Sequence, residues 1–511
     1  MTSLLESSRK SSVYVATAQL ICRALGFIVT ITLARSLAVA EYGIYNLFFG
    51  SILIFSYLAN FGIGGTLQRF LAEYASLNKH GLFFRTFFFA MKFRLISSLI
   101  VFALAILLFD RFAGLFGVAA YKFEFILFCI GTFALFQTDF LQIAFNSLFM
   151  HVLSNLSQVT YQAFRAGLIV ILVLILSGGF VSVYIAELIA FGFGAVLLWI
   201  LFINKAYAPH KASIDESTEK IEWRRFTRYS AYNAATIPGG ILFNQAADFF
   251  VVAAMATTNQ LGIYALGSRA ANMLVSVMPQ NLLQTVVRPA FYHRYYSVEE
   301  KYAELNRMFR TLVVLISAVI FPTLALVGIQ AESILTFIFK SKYAEATPVF
   351  LMLLAFNIFH AIELPSDLVL QAIEKVQARL YAQIFAVYNI LAAVLLMPQF
   401  GLMGVAFATG SALMGKCLFW YFMARHYTGI TLCWSALFKI VINTSIAAFA
   451  AYSVATLGNS TLYLFASLIT GGIVYVAMSF VNNYFDEREK DLVNRFCKLQ
   501  IFKVTHSGEE R

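Results

Sequence analysis

Long apolar runs alternate with short polar breaks along the whole chain, and the alternation predicts about fourteen membrane-crossing helices. They fall near 13–35, 44–66, 87–109, 123–147, 157–177, 181–203, 228–256, 261–286, 309–330, 347–373, 377–397, 401–424, 434–456 and 461–483. Each run has about the 20 residues that a helix needs to cross roughly 30 Å of hydrocarbon. The first, from Val13 to Arg35, is span-length and shows no small-residue cleavage site after a short core, so it is expected to be a helix and not a removed signal. The tenth is the least regular, because it carries His360, Glu363, Pro365 and Asp367.

Composition sharpens this into an all-α polytopic membrane protein. Apolar residues make up 60% of the 511 and charged residues 12%, whereas soluble domains run near 45–50% and about 25%. A soluble chain would have to expose large apolar patches to hold that much apolar surface. The net charge of +11 would suit nucleic acid, but its distribution argues for membrane orientation instead. Of 37 Lys and Arg, 28 fall in segments on one side of the expected membrane and five on the other: Arg35, Arg111, Lys122, Lys340 and Lys342. Four more, Arg23, Arg165, Arg269 and Lys416, lie within helices. Basic loops stay cytoplasmic, so both termini are expected inside and no nucleic-acid partner is implied. The cysteines, Cys22, Cys129, Cys417, Cys433 and Cys497, and the seven histidines are scattered without ligand spacing. Neither a metal site nor a cofactor is expected. Catalytic motifs, an appended soluble domain and a long outside loop are also missing, which counts against a membrane glycosyltransferase or polymerase.

The chain repeats itself. Tyr42-Gly43-Ile44-Tyr45 recurs as Leu261-Gly262-Ile263-Tyr264, Arg69 recurs as Arg288, and Val183 to Trp199 resembles Val405 to Trp420. The offset spans six helices and preserves orientation, so the copies are parallel repeats related by a pseudo-twofold axis along the membrane normal. The expected division is a first six-helix lobe over 1–210, a second over 211–428, and an added helix pair with a tail over 429–511. Two such lobes suggest a transporter that opens to each side in turn.

Leu33-Ala34-Arg35-Ser36-Leu37, Tyr42-Gly43-Ile44-Tyr45, Asn60-Phe61-Gly62-Ile63 and Arg69-Phe70-Leu71-Ala72-Glu73-Tyr74 resemble the start of Wzx-type polysaccharide (O-antigen repeat-unit) flippases. Ala247-Asp248 with Leu261-Gly262-Ile263-Tyr264-Ala265 resembles their second lobe. Phe249 departs from the pattern, since a basic residue commonly follows that aspartate in the family. These flippases belong to the multidrug/oligosaccharidyl-lipid/polysaccharide exporter superfamily. The resemblance implies movement of undecaprenyl-diphosphate-linked oligosaccharide across a bacterial inner membrane, without catalysis. It also implies lipopolysaccharide or related biosynthesis beside glycosyltransferases and a polymerase, and coupling to an H+ or Na+ gradient. Drug or cation exporters of the superfamily usually have twelve helices and acidic cavities. The lipid II flippase shares the fourteen helices and the cavity arginines.

Charges inside the membrane need reasons, because each costs several kcal/mol, about 2.5–3.5 on insertion scales. Arg23, near the middle of the first helix, suits a diphosphate: it stays charged and its planar fork matches phosphate oxygens. The competing reading is a structural pair with Asp139. Asp248 and Arg269 sit at similar depth on consecutive helices, as a salt bridge or as a cavity cation with its partner or ion site. Lys416 is a third cavity cation, and Arg165 is close enough to the inner surface to snorkel. Glu187, Glu363 and Asp367 are ion-coupling candidates, the last two on one helical face with Pro365 between them. Pro238-Gly239-Gly240 is either a gate hinge or a static kink. The 53 Phe and 25 Tyr are expected to face lipid and the interfaces for the most part.

Overall fold

The computed structural model describes residues 2–211, 221–235, 246–282, 284–375, 377–458, 460–487, 489–491 and 494. Every regular element among them is helical. Eleven helical stretches of the described residues are long and apolar enough to cross a membrane, so the chain is a multi-pass membrane protein. The difference from about fourteen has local causes. The stretch Gln377–Thr428 counts once, yet its 52 residues would run some 78 Å as one helix at 1.5 Å per residue. It breaks at Gly401, whose φ of 57° is left-handed, a conformation a side chain resists and glycine adopts freely. The expected helix at 228–256 includes 236–245, outside the described residues, together with the Pro238-Gly239-Gly240 hinge. The helix at Thr258–Ser276 is diluted by Asn259, Gln260, Arg269 and Asn272.

Contacts divide the chain into two compact units, Met1–Leu266 and Gly267–Arg511. This is a division by packing, whereas the boundaries expected at 210/211 and 428/429 are divisions by repeat.

Unit 1 opens with α1 (Thr2–Ser36) and α2 (Val39–Asn60), followed by α3 (Ile63–Ser76), α4 (His80–Leu107) and the short α5 (Phe109–Ala113). Next come α6 (Lys122–Ser147), α7 (His151–Ile169), α8 (Phe180–Leu201), α9 (Trp223–Ala235), α10 (Ala246–Met255) and the first half of α11 (Thr258–Ser276). The single helix expected at 44–66 is thus two. Phe61 and Gly62 turn left-handed between them (φ 44° and 75°), and α3 leaves as an amphipathic helix with Leu67, Phe70, Leu71 and Tyr74 buried. That apolar stripe meets α4, α6 and α9 in a core of Phe70, Phe83, Phe84, Phe87, Phe140, Phe145, Phe202 and Phe226. Much of the phenylalanine content therefore packs inside the protein and not against lipid. Edge-to-face pairs such as Phe84–Phe202 and Phe70–Phe226, with centroids 5.9 and 5.5 Å apart, give this core directional contacts beyond area burial.

The repeated motif marks the tightest crossing in unit 1. A Cβ on Gly43 would lie 2.6 Å from the Gly262 amide nitrogen, and one on Gly262 would overlap the Val39 carbonyl. The two glycines of the repeat therefore meet each other, as equivalent residues do at a twofold. Without side chains the backbones of α2 and α11 approach closely, the small-residue packing that replaces hydrophobic drive inside lipid.

Unit 2 continues with α12 (Pro279–Leu282), α13 (Gln284–Tyr296), α14 (Lys301–Ile329), α15 (Ala331–Phe339), α16 (Thr347–Phe356), α17 (His360–Ala372), α18 (Gln377–Tyr381), α19 (Ile384–Thr428), α20 (Trp434–Ala455) and α21 (Thr461–Asn482). The last two pack on each other and on α14. Ser467 donates to the Ala451 carbonyl at 2.7 Å, and Tyr475 donates to the Ala318 carbonyl at 2.8 Å while lying 3.1 Å from the Tyr484 hydroxyl. Pro365 sits inside α17. The change of helix type comes earlier, in a 3-10 turn over Asn357–Phe359.

The crossing yields a stability test. Gly262→Ala should cost about 1–3 kcal/mol, the usual overpacking penalty, whereas Gly26→Ala, where nothing lies within 4 Å of a Cβ, should be neutral or stabilising. Thermal midpoints of the detergent-purified proteins check the contrast.

Candidate functional site

Five clusters of buried charge among the described residues bear on the expected site, and each is tied to particular helices. In unit 1 the first joins α2, α7 and α8. Arg165 grips Glu187 with two parallel bonds, Nε to Oε2 and Nη2 to Oε1, both 2.6 Å. The Tyr45 hydroxyl donates to the same carboxylate at 2.9 Å, and the guanidinium lies 5.7 Å from the Phe49 ring. Glu187 is 2% exposed. Arg165 does not snorkel to the surface, because its charge is cancelled where it stands. A fork-to-fork pair of this kind is a strong, oriented contact.

The second cluster centres on Arg94, which lies inside the helix expected at 87–109 although the basic-loop count takes it with the preceding segment. It lies in α4 with Lys92 and is 1% exposed, one of the largest fully buried side chains. Its Nη1 donates to the Ser56 carbonyl at 3.1 Å and its Nη2 to the Ser56 hydroxyl at 3.3 Å. Asp139 of α6 pairs with it at 3.5 Å, and the rings of Phe136 and Phe140 lie 4.5 and 5.2 Å away. Asp139, proposed from sequence as a partner for Arg23, is thus held by a different arginine. Arg94 was missed because it follows the run Phe87-Phe88-Phe89-Ala90-Met91 with Lys92 beside it, which reads as a helix start at the inner surface. The third cluster pairs Asp248, 1% exposed, with the Tyr264 hydroxyl at 3.1 Å. The repeat tyrosines Tyr45 and Tyr264 therefore each donate to a buried carboxylate.

In unit 2, Glu363 and Asp367 share a helix but not a site. Glu363 binds Lys416 of α19 at 2.7 Å and the His360 imidazole one turn earlier. Asp367 instead receives the Arg379 fork, with Nε to Oδ1 at 2.7 Å and Nη2 to Oδ2 at 2.6 Å. Arg288 and Gln371 add bonds of 3.3 and 2.7 Å to Asp367, and Tyr292 donates to Gln371 at 2.9 Å. Two arginines therefore share one aspartate. Lys416 is neutralised by Glu363, so as a cavity cation it is weaker than the sequence suggested.

Of the expected cations, Arg23 lies half-buried on α1 and Arg269 half-buried on α11, three residues into unit 2. Among the described residues no group of three or more His, Cys, Asp or Glu could hold a metal ion.

The family of polysaccharide biosynthesis proteins matches residues 8–293. The chain belongs to that family. Its fold is that of the exporter superfamily. The lipid II flippase MurJ in an inward closed conformation is 15% identical and superposes with a TM-score of 0.70, covering 94% of this chain and all of MurJ. An inward-facing multidrug resistance transporter of the MATE family, also 15% identical, gives 0.61 over 84% of this chain and 99% of its own. A superfamily transporter from Pyrococcus furiosus, described as having a binding pocket of reversed polarity, is 14% identical and gives 0.53 over 82% and 96%. No curated protein matches the chain by sequence.

The Arg165–Glu187 pair generates a test. Removing either partner leaves an unpaired buried charge, so Arg165→Ala and Glu187→Ala should each destabilise by about 3–5 kcal/mol. Arg165→Met with Glu187→Leu should recover most of that loss in thermal unfolding. Transport retained by this double variant would make the pair structural, and transport lost with stability restored would give it a role in the cycle.

Proposed function

We propose that this protein is a flippase that carries a polyprenyl-diphosphate-linked oligosaccharide from the cytoplasmic to the outer leaflet of a bacterial inner membrane. The observation that carries the reading is membership of the polysaccharide biosynthesis family together with a MurJ-like fold over 94% of the chain. The physical need is clear. A diphosphate with a sugar chain cannot enter hydrocarbon without losing its hydration, at a cost far above thermal energy. A path lined by cations and water removes most of that cost while the polyprenyl tail stays in lipid.

Arg23 and Arg269 supply the charge in this reading, Arg23 by direct contact with the diphosphate. The two repeats open alternately to each side, with both termini in the cytoplasm. Asp139, whose side chain is 53% exposed beside Arg94, is the first candidate for H+ or Na+ coupling, ahead of Glu187, Glu363 and Asp367, which are each gripped at close range by a Lys or Arg. Asp248, beside the Tyr264 hydroxyl, is the second. Membrane lipid is the constant partner, and glycosyltransferases and a polymerase are the functional ones. A second reading, transport of lipid II, is favoured by the full coverage of MurJ.

Complementation separates the two. The chain should restore surface polysaccharide in a strain lacking its O-antigen flippase and fail to sustain growth of a strain depleted of MurJ. The reverse outcome selects lipid II. In the restoring strain Arg23→Ala should abolish surface polysaccharide at unchanged protein level, and Arg23→Lys should restore part of it; normal polysaccharide from Arg23→Ala would overturn the diphosphate contact.

A further inference from the structure

The helix α9 carries a site that none of the buried clusters uses. An open cavity of about 590 Å³ is lined by Trp223, Arg224, Arg225, Arg228, Tyr229 and Tyr232 together with Glu222. Phe226 and Ser230, on the other face of α9, are buried. Ser230 donates to the Thr66 hydroxyl at 3.0 Å, which seats the helix on α3.

Among the described residues the charges in this cavity do not balance. Arg225 takes two carboxylates, with bonds of 2.8 and 2.7 Å to Glu73 and an ion pair of 3.9 Å to Glu222. Among the described residues Arg224 and Arg228 have no carboxylate partner, and both are exposed. They stand four residues apart on one helical face, where like charges repel. Arg69 adds a fourth guanidinium, 4.4 Å from the Tyr229 ring. Among the described residues, these four arginines against Glu73 and Glu222 leave two positive charges. Trp223 and Tyr232 are 46% and 63% exposed beside them. Guanidinium forks next to exposed aromatic faces match a ligand with phosphate oxygens at one end and a sugar ring at the other.

We propose that the Arg224–Arg228 face of α9, with Trp223 and Tyr232, is a loading site that captures the diphosphate and first sugar of the lipid-linked substrate at the membrane surface before translocation. This rests on the flippase reading above. The α9 segment belongs to the basic side of the membrane, so a lipid-anchored diphosphate and these forks would share one interface. A purely interfacial helix, anchored by charge and aromatic rings alone, would hold any anionic lipid and would accept lysine for arginine. A built diphosphate site would do neither, because lysine lacks the planar fork.

The test is hydrogen–deuterium exchange on the full-length protein in phosphatidylcholine nanodiscs, with undecaprenyl diphosphate or phosphatidylglycerol as the added lipid. Undecaprenyl diphosphate should protect the peptide covering 222–232, and phosphatidylglycerol at the same density should not. Arg224→Lys with Arg228→Lys should weaken the half-maximal protection by about five-fold or more at an unchanged thermal midpoint. Equal protection by both lipids, or no effect of the lysine pair, would overturn the site and leave a generic basic surface. The wild-type lipid comparison needs no variant, so a folding defect cannot obscure it. A wild-type protein that protects 222–232 yet does not flip lipid-linked oligosaccharide overturns the flippase reading and leaves the site standing. One that flips with no protection there overturns the site alone.

Discussion

Inside hydrocarbon a charge must meet an opposite charge, a hydrogen-bond partner or water, since water is not at hand to stabilise it otherwise. That requirement shapes both units of this chain. Lipid tails are as apolar as leucine, so little hydrophobic drive selects which helix packs on which. Polar bonds do it instead. Tyr45, Arg165 and Glu187 tie α2, α7 and α8 together across as many as 142 positions of sequence. Arg94 joins α4 to Ser56 of α2 and to Asp139 of α6. Lys416 and Glu363 join α19 to α17. Where no charge is available, small residues take over: Gly43 against Gly262, and Gly471 with its would-be Cβ 3.0 Å from the Ala451 Cβ.

This sorts the buried charges by the work they can do. A carboxylate held by a bidentate arginine, as Glu187 and Asp367 are, gains little from binding a proton or sodium and loses much. Such groups hold helices. Asp139 differs: its own side chain is 53% exposed while its partner Arg94 is buried. In the proposed reading that exposure makes Asp139 a better coupling candidate than Glu187 or Asp367.

The broad architecture was legible because membrane insertion writes itself into hydropathy over windows of about 20 residues. The repeat was legible too, since its tight crossing demands glycine at 43 and 262 in the same motif. The pairings were not. Sequence placed Glu363 and Asp367 on one helical face, which is correct, but a shared face does not mean a shared site: α19 reaches one and α18 with α13 the other. Arg94 escaped because, with Lys92 two residues before it in the first turns of the helix expected from 87, it was counted with the basic segment, whereas α4 begins fourteen positions earlier at His80 and carries it well inside. The break at Phe61-Gly62 is visible in hindsight, since an Asn-Phe-Gly sequence permits a left-handed turn. The cavity of α9 was hidden because basic residues between spans were read as orientation alone.

In the flippase reading proposed above the cargo is lipid-linked and anionic, and the arginines of α1, α9 and α11 would give it chemistry to meet at the surface and within the membrane. Translocation itself is the central claim. It is tested by reconstituting the purified protein in liposomes that carry a fluorescent polyprenyl-diphosphate-linked oligosaccharide in both leaflets, then adding a membrane-impermeant quencher of the sugar label. Passage of the protected inner pool to the quencher well above the rate of protein-free vesicles is the predicted result. An inner pool that stays protected at the protein-free rate, from protein that is folded and correctly inserted, would contradict it.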